Sequence, residues 1–419
     1  MRIVWLCSFS NVQVREHLNI GIPKILLWLY KKARGHEPFT TSDYGVWNTN
    51  AIKEFEKHEE VELHVISPCP FLRVRKQEFV LNRIHYHFFR DESSSLWKMV
   101  YKQITKPVND KYIFNRHIIK ELISNIKPDL IHLIGAENPR YSLALLDVPS
   151  TIPTIVQLQT LINDPDFKDN FPIDDTSYNY LSAVENKIIQ KADYIGTAAK
   201  KFIRIIRERI RPNAIILNLN LAVADNFNTT HQEKIFDFVY FASNINKACD
   251  VALEAFGLAY QKNSSITLDI VGGFTDDFKQ KINVILNKYR LNDAVTFEGL
   301  LPTHEDVLKQ IRKARFALLP LKIDLTSSTI REAMYNGLPV ITTDTGDLGT
   351  QMLNNGYMCV LISPKSDVQA IADNMLLLLK DESLCETLRQ NSYRRLNEEL
   401  NNDLIVRDYV YAYKHILGV

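Results

Sequence analysis

Short apolar runs rich in Val, Ile and aromatic residues alternate along this chain with longer stretches of helical period. In the first half, RIVWLCSF (2–9), VELHVISP (61–68), RIHYHFFR (83–90), DLIHLIGA (129–136), TIVQLQTL (154–161), YIGTAA (194–199) and AIILNL (214–219) read as strands. The polar, unpatterned stretch DNFNTTHQEK (225–234) reads as a linker. Alternation then restarts with FDFVYFAS (236–243), TLDIVGG (267–273), VTFEGL (295–300), FALLPLK (316–322), PVITTD (339–344) and YMCVLIS (357–363). Between the later strands lie amphipathic helices. In CDVALEAFGLAY, for example, Ala252, Ala255, Phe256 and Ala259 recur at i, i+3, i+4 and i+7. Apolar strands joined by helical crossovers form parallel sheets covered on both faces. The expected fold is therefore α/β, with two tandem Rossmann-like doubly wound domains facing a cleft. The expected boundaries are 1–225 and 235–395, followed by a last helical segment, 396–419.

A length of 419 residues, 46% hydrophobic and 24% charged, is ample for two such cores. The formal net charge of +1 implies no bulk attraction to nucleic acid. Five scattered cysteines, Cys7, Cys69, Cys249, Cys359 and Cys385, form no CxxC pair and no zinc-type cluster with histidines. The opening MRIVWLCSFS lacks the apolar core of a signal peptide, and no run reaches the length of a membrane span. Both features lead us to expect a cytoplasmic protein in a reducing compartment.

In open α/β sheets, ligands bind beyond the carboxyl ends of the strands. Ser8 and Ser10 follow the first run, Glu137 and Asn138 the fourth, Gln159 lies in the fifth, and Lys247 follows the first run of the second domain. The segment DLTSSTIREAMYNGLPVITTD (324–344) follows FALLPLK in the same way. It admits two readings. Thr329-x-x-Glu332 fits a capping box, with Gly337 and Pro339 as stop signals. A helix start with free N–H groups beside four hydroxyl residues, Thr326 to Thr329, equally suits a phosphate.

Context favours the ligand. Asp324, seven intervening residues and Glu332 within EAMYNGLPVI resemble the retaining nucleotide-sugar glycosyltransferases of the two-Rossmann (GT-B) architecture, family 4 type. VYFASNINKACDVALEAF, LDIVGGF, VTFEGLLP and the late helix around DVQAIADNMLLLL follow in that family's order and spacing, and DLIVRDYVYAYKHIL in 396–419 resembles the family's C-terminal helix, which implies that it crosses back to the first domain. The resemblance implies that Glu332 holds the ribose hydroxyls, that Asp324 touches the donor sugar, and that Lys247, following Ser243, meets the diphosphate. It implies further that Thr326, Ser327, Ser328 and Thr329 cradle the distal phosphate, and that Gly272, Gly273, Gly299 and Leu300 admit the base and phosphates. Lys247, Asp324 and Glu332 are thus the expected catalytic set, and Ser10, Glu137, Asn138 and Gln159 the acceptor-side candidates. A UDP- or GDP-sugar is the expected donor, with no metal or other cofactor. The acceptor is expected to be a glycan or lipid-linked glycan of the kind used in bacterial surface-polysaccharide assembly. In place of the family's Arg ahead of the Lys stand Ala242 and Ser243; SFSNVQVREHL replaces its first Gly-rich loop, and Gln159 its customary His.

Three other features offer chemistry. Asp164-Pro165-Asp166 resembles a metal-chelating pair but reads as a solvated loop. KKFIRIIRERIR (200–211) places Phe202, Ile206 and Ile210 on one face among six basic residues. That pattern suits either a helix packed on its own sheet or peripheral contact with an anionic membrane face. Basic and aromatic residues interleave over 70–120, the weaker pattern of a nucleic-acid surface. Two rival functions remain at this stage: a non-catalytic sugar-nucleotide-binding or scaffolding protein, and an isomerase or hydrolase that needs no acceptor.

Overall fold

The computed structural model describes residues 1–21, 43–92, 111–171, 173–223, 232–244, 248–321, 328–344, 360–362 and 367–419. They form two compact units. The first comprises 1–198, 202–222 and 405–419, and the second 199–201 and 223–404. Most of the polar stretch 225–234 lies outside the described residues.

Among the described residues the first unit is built on eight strands: β1 (Arg2–Leu6), β2 (Glu62–Cys69), β3 (Lys76–Leu81), β4 (Ile84–Arg90), β5 (Leu130–Ile134), β6 (Thr154–Gln157), β7 (Tyr194–Gly196) and β8 (Ile215–Leu217). Their order is β3-β4-β2-β1-β5-β6-β7-β8, parallel throughout except for the antiparallel β3–β4 hairpin at the edge. The strand order reverses direction at β1, between β2 and β5. Strand β3 was not expected. Its sequence, KQEFVL, half charged or polar, carries no long apolar run, because it is an edge strand whose residues are only partly buried. Asn82 and Arg83 close the hairpin with φ of 49° and 71°. A two-residue turn with both residues left-handed matches the twist of the flanking strands, but Arg stands where glycine usually marks such a turn.

The core of this unit includes the last helix, Asn402–Leu417. Tyr413 Oη accepts from Trp5 Nε1 at 2.9 Å and lies 2.7 Å from His132 Nδ1, which ties the helix to β1 and β5. Burial drives the His132 pKa down to about 3, so the ring is neutral, with one nitrogen a donor and the other an acceptor. The helix begins at Asn402; residues before it belong to a separate helix, Glu382–Glu399. In KKFIRIIRERIR, helix Lys200–Ile205 runs into a π-helical turn, Ile206–Ile210. Phe202, Ile205 and Ile206 are buried against the unit's interior, and Arg204, Arg207 and Arg209 face solvent.

The second unit carries β9 (Phe236–Asn244), β10 (Leu268–Gly273), β11 (Val295–Gly299), β12 (Ala314–Leu319), β13 (Val340–Thr343) and β14 (Val360–Ile362). The order β11-β10-β9-β12-β13-β14 is parallel throughout, with its reversal between β9 and β12. Helix Cys249–Lys262 buries the expected stripe, with Ala252, Ala255, Phe256 and Ala259 all fully covered.

Candidate functional site

Two helices approach the carboxyl edge of the second sheet next to its switch point. Helix Ser328–Tyr335 follows β12, whose exit is pinned by side chains of β13 and its neighbours. Thr342 Oγ1 donates to Leu319 O at 2.9 Å, and Leu321 N donates to Thr343 Oγ1 at 2.7 Å. The helix ends where the stop signal lies: Gly337 has φ +74°, Gly337 N donates to Met334 O, and Leu338 N donates to Ala333 O, each at 3.0 Å. These paired bonds form a Schellman cap, which needs the left-handed residue that glycine supplies without strain.

The capping-box reading of Thr329 and Glu332 is corrected here. The described helix spans Ser328–Tyr335, so Thr329 is already helical and its hydroxyl cannot occupy the cap position. Glu332 is 4% exposed, and its Oε1 makes no hydrogen bond among the described residues. His304 lies beside it, with Nε2 3.4 Å from that oxygen. His304 opens helix His304–Ile311, where a true capping box does stand: Thr303 and Asp306 satisfy each other's backbone N–H groups. Sequence reasoning passed over His304, and the only sign of it was its place directly after Thr303 at this helix start.

Gly272 has φ +140° and Gly299 φ +72°. A Cβ on Gly273 would come within 2.8 Å of Leu300 Cγ, so the half-exposed Leu300 side chain lies over the end of β10 only because position 273 is glycine. Glu332 therefore meets His304 directly, and Gly273 packs beneath Leu300. Ser328 and Thr329 begin the helix that carries Glu332. Ser243 is placed by its backbone near the end of β9. Lys247, Asp324, Thr326 and Ser327 lie outside the described residues.

The first unit holds a cavity of about 700 Å³ at the carboxyl ends of β1, β2 and β5, lined among others by Ser10, Tyr44, Cys69, Glu137, Asn138 and Arg140. Ser10 Oγ accepts from Arg15 at 2.8 Å, and Arg15 also pairs with Asp43 at 2.7 Å. Asn138 caps the short helix Pro139–Ser142. Gln159, oriented with its amide nitrogen toward Glu137, donates to Glu137 Oε1 at 3.1 Å and accepts from Trp47 Nε1 at 2.8 Å. Glu137 Oε2 is buried without a hydrogen bond among the described residues. Burial first, and then the charge of Glu185, raise the Glu137 pKa to about 7. Gly135, φ +93°, permits this packing, since a Cβ there would lie 2.7 Å from Glu137 Oε1 and from the Tyr141 hydroxyl. The sequence-derived candidates Ser10, Glu137 and Asn138 thus share one cavity, and Gln159 reaches it through Glu137.

The expected solvated loop at Asp164-Pro165-Asp166 is also corrected. Asp164 is 1% exposed, and its Oδ1 accepts from Asp166 N at 3.0 Å in a tight turn.

Among the described residues no helix is long and apolar enough to cross a membrane. Residues 226–395 match the family described as Glycosyl transferases group 1. N-acetyl-alpha-D-glucosaminyl L-malate synthase of Bacillus anthracis is 21% identical over 244 residues, covering 55% of this chain and 61% of that protein. The match thus spans about three fifths of that curated relative's length. Among solved structures, sucrose-phosphate synthase of Thermosynechococcus elongatus superposes with a TM-score of 0.66 at 16% identity, over 100% of this chain and 99% of that one. Anabaena HepE, solved with UDP and glucose, gives 0.62 at 14% identity, over 98% and 99%. At such identities these two likenesses are of fold. Together they give this chain the two-Rossmann GT-B fold, with residues 226–395 similar to the group 1 glycosyl transferases.

Proposed function

We propose that the protein moves a sugar from a nucleotide-diphosphate sugar to a glycan or lipid-linked glycan acceptor, with retention at the anomeric carbon and without a metal. The observation that carries this reading is Glu332: a buried carboxylate with an oxygen left unbonded, at a helix start beside the switch point of a group 1 domain. A carboxylate accepts two ribose hydroxyls well, and in a closed site an unmet acceptor is costly until a ligand fills it. His304, 3.4 Å away, orients that carboxylate. Ser328 and Thr329, at the positive end of their helix dipole, receive the distal phosphate. Asp324 meets the donor sugar, Lys247 beside Ser243 the diphosphate, and Thr326 and Ser327 complete the cradle. Gly272, Gly273 and Gly299 let backbone approach the nucleotide. A UDP-sugar fits this reading and finds support in the UDP bound to HepE; a GDP-sugar fits it equally.

In the first unit, Glu137 accepts the acceptor hydroxyl within the 700 Å³ cavity, assisted by Ser10, Asn138 and, through Glu137, Gln159. In the transfer step the bond from the anomeric carbon to the diphosphate oxygen breaks while the acceptor oxygen bonds to the same face. The acceptor proton passes to the departing diphosphate. The cation and helix dipole stabilise the charge that grows there. Solvent-facing Arg204, Arg207 and Arg209 suit peripheral contact with the anionic inner face of a membrane, where a lipid-linked acceptor of surface-polysaccharide assembly resides.

The test is nucleotide release from a panel of UDP- and GDP-sugars with and without glycan acceptors. Release that depends on acceptor supports transfer. Release without acceptor favours a hydrolase, and binding without release a scaffold.

A further inference from the structure

At the amino-terminal ends of β2 and β4, on the side of the sheet opposite to the cavity, four polar side chains converge. His64 on β2 stands directly across from His85 on β4 in the parallel register. Glu62 lies two residues before His64, and His87 two after His85, so the strand period places all four on one face. The rings of His64 and His85 stack at 4.5 Å, and those of His64 and His87 at 5.3 Å. His64 Nε2 lies 2.9 Å from Glu62 Oε1, and His64 Nδ1 lies 3.0 Å from His87 Nε2. His87 Nδ1 in turn lies 3.0 Å from Glu78 Oε2 on β3. Ligand atoms of Glu62, His64 and His85 all fall within 4.8 Å of one another. Glu62 is exposed, while His64 and His87 are 7% and 8% exposed. The charged neighbours are Arg2, which donates to the same Glu62 oxygen at 3.0 Å, and Lys76, which is paired with Glu121 at 2.7 Å.

Each carboxylate needs an N–H pointed at it, and the nitrogen-to-nitrogen contact needs one hydrogen, so the three contacts take three hydrogens where two neutral imidazoles carry two. One cation, a proton or a metal ion, completes the set. The gathering of a third donor, His85, and of Glu62 with His64, ligand atoms all within 4.8 Å, favours the metal ion. With an ion at His64 Nε2, His64 Nδ1–H donates to His87 Nε2 and His87 Nδ1–H donates to Glu78. This is the arrangement of a metal-bound histidine whose second nitrogen is held by an outer partner.

From this geometry we infer that Glu62, His64 and His85 form a binding site for a transition-metal ion of the zinc type, with His87 and Glu78 as the outer partners that fix the His64 ring. Two imidazoles and a carboxylate are a donor set that Zn²⁺ accepts, and a fourth position is left to solvent. With nitrogen and oxygen about 2.0–2.2 Å from the ion, ligand atoms in a tetrahedron lie roughly 3.4 Å apart. Rotation of the exposed Glu62 and the half-buried His85 side chain brings them to that spacing. The site is separate from the cavity and from Glu332, so it calls for a structural rather than a catalytic ion.

The experiment is titration of the full chain with Zn²⁺ by calorimetry and with Co²⁺ by visible absorption, without nucleotide. The wild type should take up one ion per chain at this site. His85→Phe keeps a ring to stack on His64 but offers no ligand, and it should weaken binding at least tenfold. His87→Phe should weaken it by about tenfold through loss of the outer partner. His415→Ala, at an exposed position on the last helix, should bind as the wild type does. His85→Phe with wild-type affinity and an unchanged melting temperature would overturn the inference, as would a wild type giving neither binding heat nor a Co²⁺ band.

Discussion

Glu332 Oε1 lies 3.4 Å from His304 Nε2, the one residue closing the first turn after β12 and the other opening the helix after β11. No hydrogen bond is formed across that separation, and the carboxylate oxygen has no hydrogen-bond partner among the described residues. On the account given above, His304 positions a carboxylate whose bonding is completed by the donor. His304→Ala should weaken donor binding by roughly three- to tenfold, the worth of one ordinary hydrogen bond. Nucleotide titration by calorimetry checks this. A melting temperature that falls with donor affinity unchanged would leave His304 as a helix-start residue only.

Glu137 provides a pH test. Its folded pKa is raised to about 7, mainly by burial, from the ordinary glutamate value of 4.5. The folded state therefore binds a proton that the unfolded state releases between those values. That contribution to stability is fully present below about pH 4.5 and is lost as pH rises through 7. Glu185, buried and raised to about 7 in the same way, adds a slope of the same sign. Glu137→Gln should flatten the decline in melting temperature between pH 5 and pH 8 without abolishing it. An identical decline in the variant would show that the carboxyl is not held protonated.

Tyr413→Phe removes a hydroxyl that satisfies both Trp5 Nε1 and His132 Nδ1 in a fully buried setting. A polar group stranded in a core costs about 1–3 kcal/mol. Thermal or urea unfolding should show the loss, while donor affinity, which resides in the second unit, should be unaffected.

EDTA separates two roles for a metal. On the proposed reading, in which Lys247 and a helix start meet the diphosphate charge, turnover should persist after chelation. The melting temperature should fall with the loss of an ion from the Glu62, His64 and His85 cluster. Turnover abolished by EDTA and restored by Mn²⁺ or Mg²⁺ would contradict the first expectation.

Much of the parallel framework was legible, because strands buried on both faces must be continuous apolar runs, as in VELHVISP and FDFVYFAS. The edge strand Lys76–Leu81 was not, since partial burial leaves mixed polarity and its turn uses Asn82-Arg83 in place of a glycine signature. The EAMYNGLP segment made the glycine stop legible, and its Glu332 is buried with one oxygen left without a hydrogen bond among the described residues. Its cap did not follow the local motif: Thr329 is helical, and the capping box lies instead at Thr303 and Asp306, around the unnoticed His304. Contacts between segments distant in sequence, such as Glu332 with His304 or Glu62 with His85, leave no local pattern. Asp164 was misjudged for a local reason: a charged loop residue gives no sign of being folded under its own turn.

The most direct measurement of the central claim is donor titration of Glu332→Gln beside its melting temperature. The amide preserves size and helical preference but lacks one good acceptor. If the carboxylate holds two ribose hydroxyls, donor affinity should fall tenfold or more, in line with ~1.5–3 kcal/mol for a charged hydrogen bond, with little change in melting temperature. Donor affinity equal to that of the wild type, with a lowered melting temperature, would contradict the account and return Glu332 to a purely structural role.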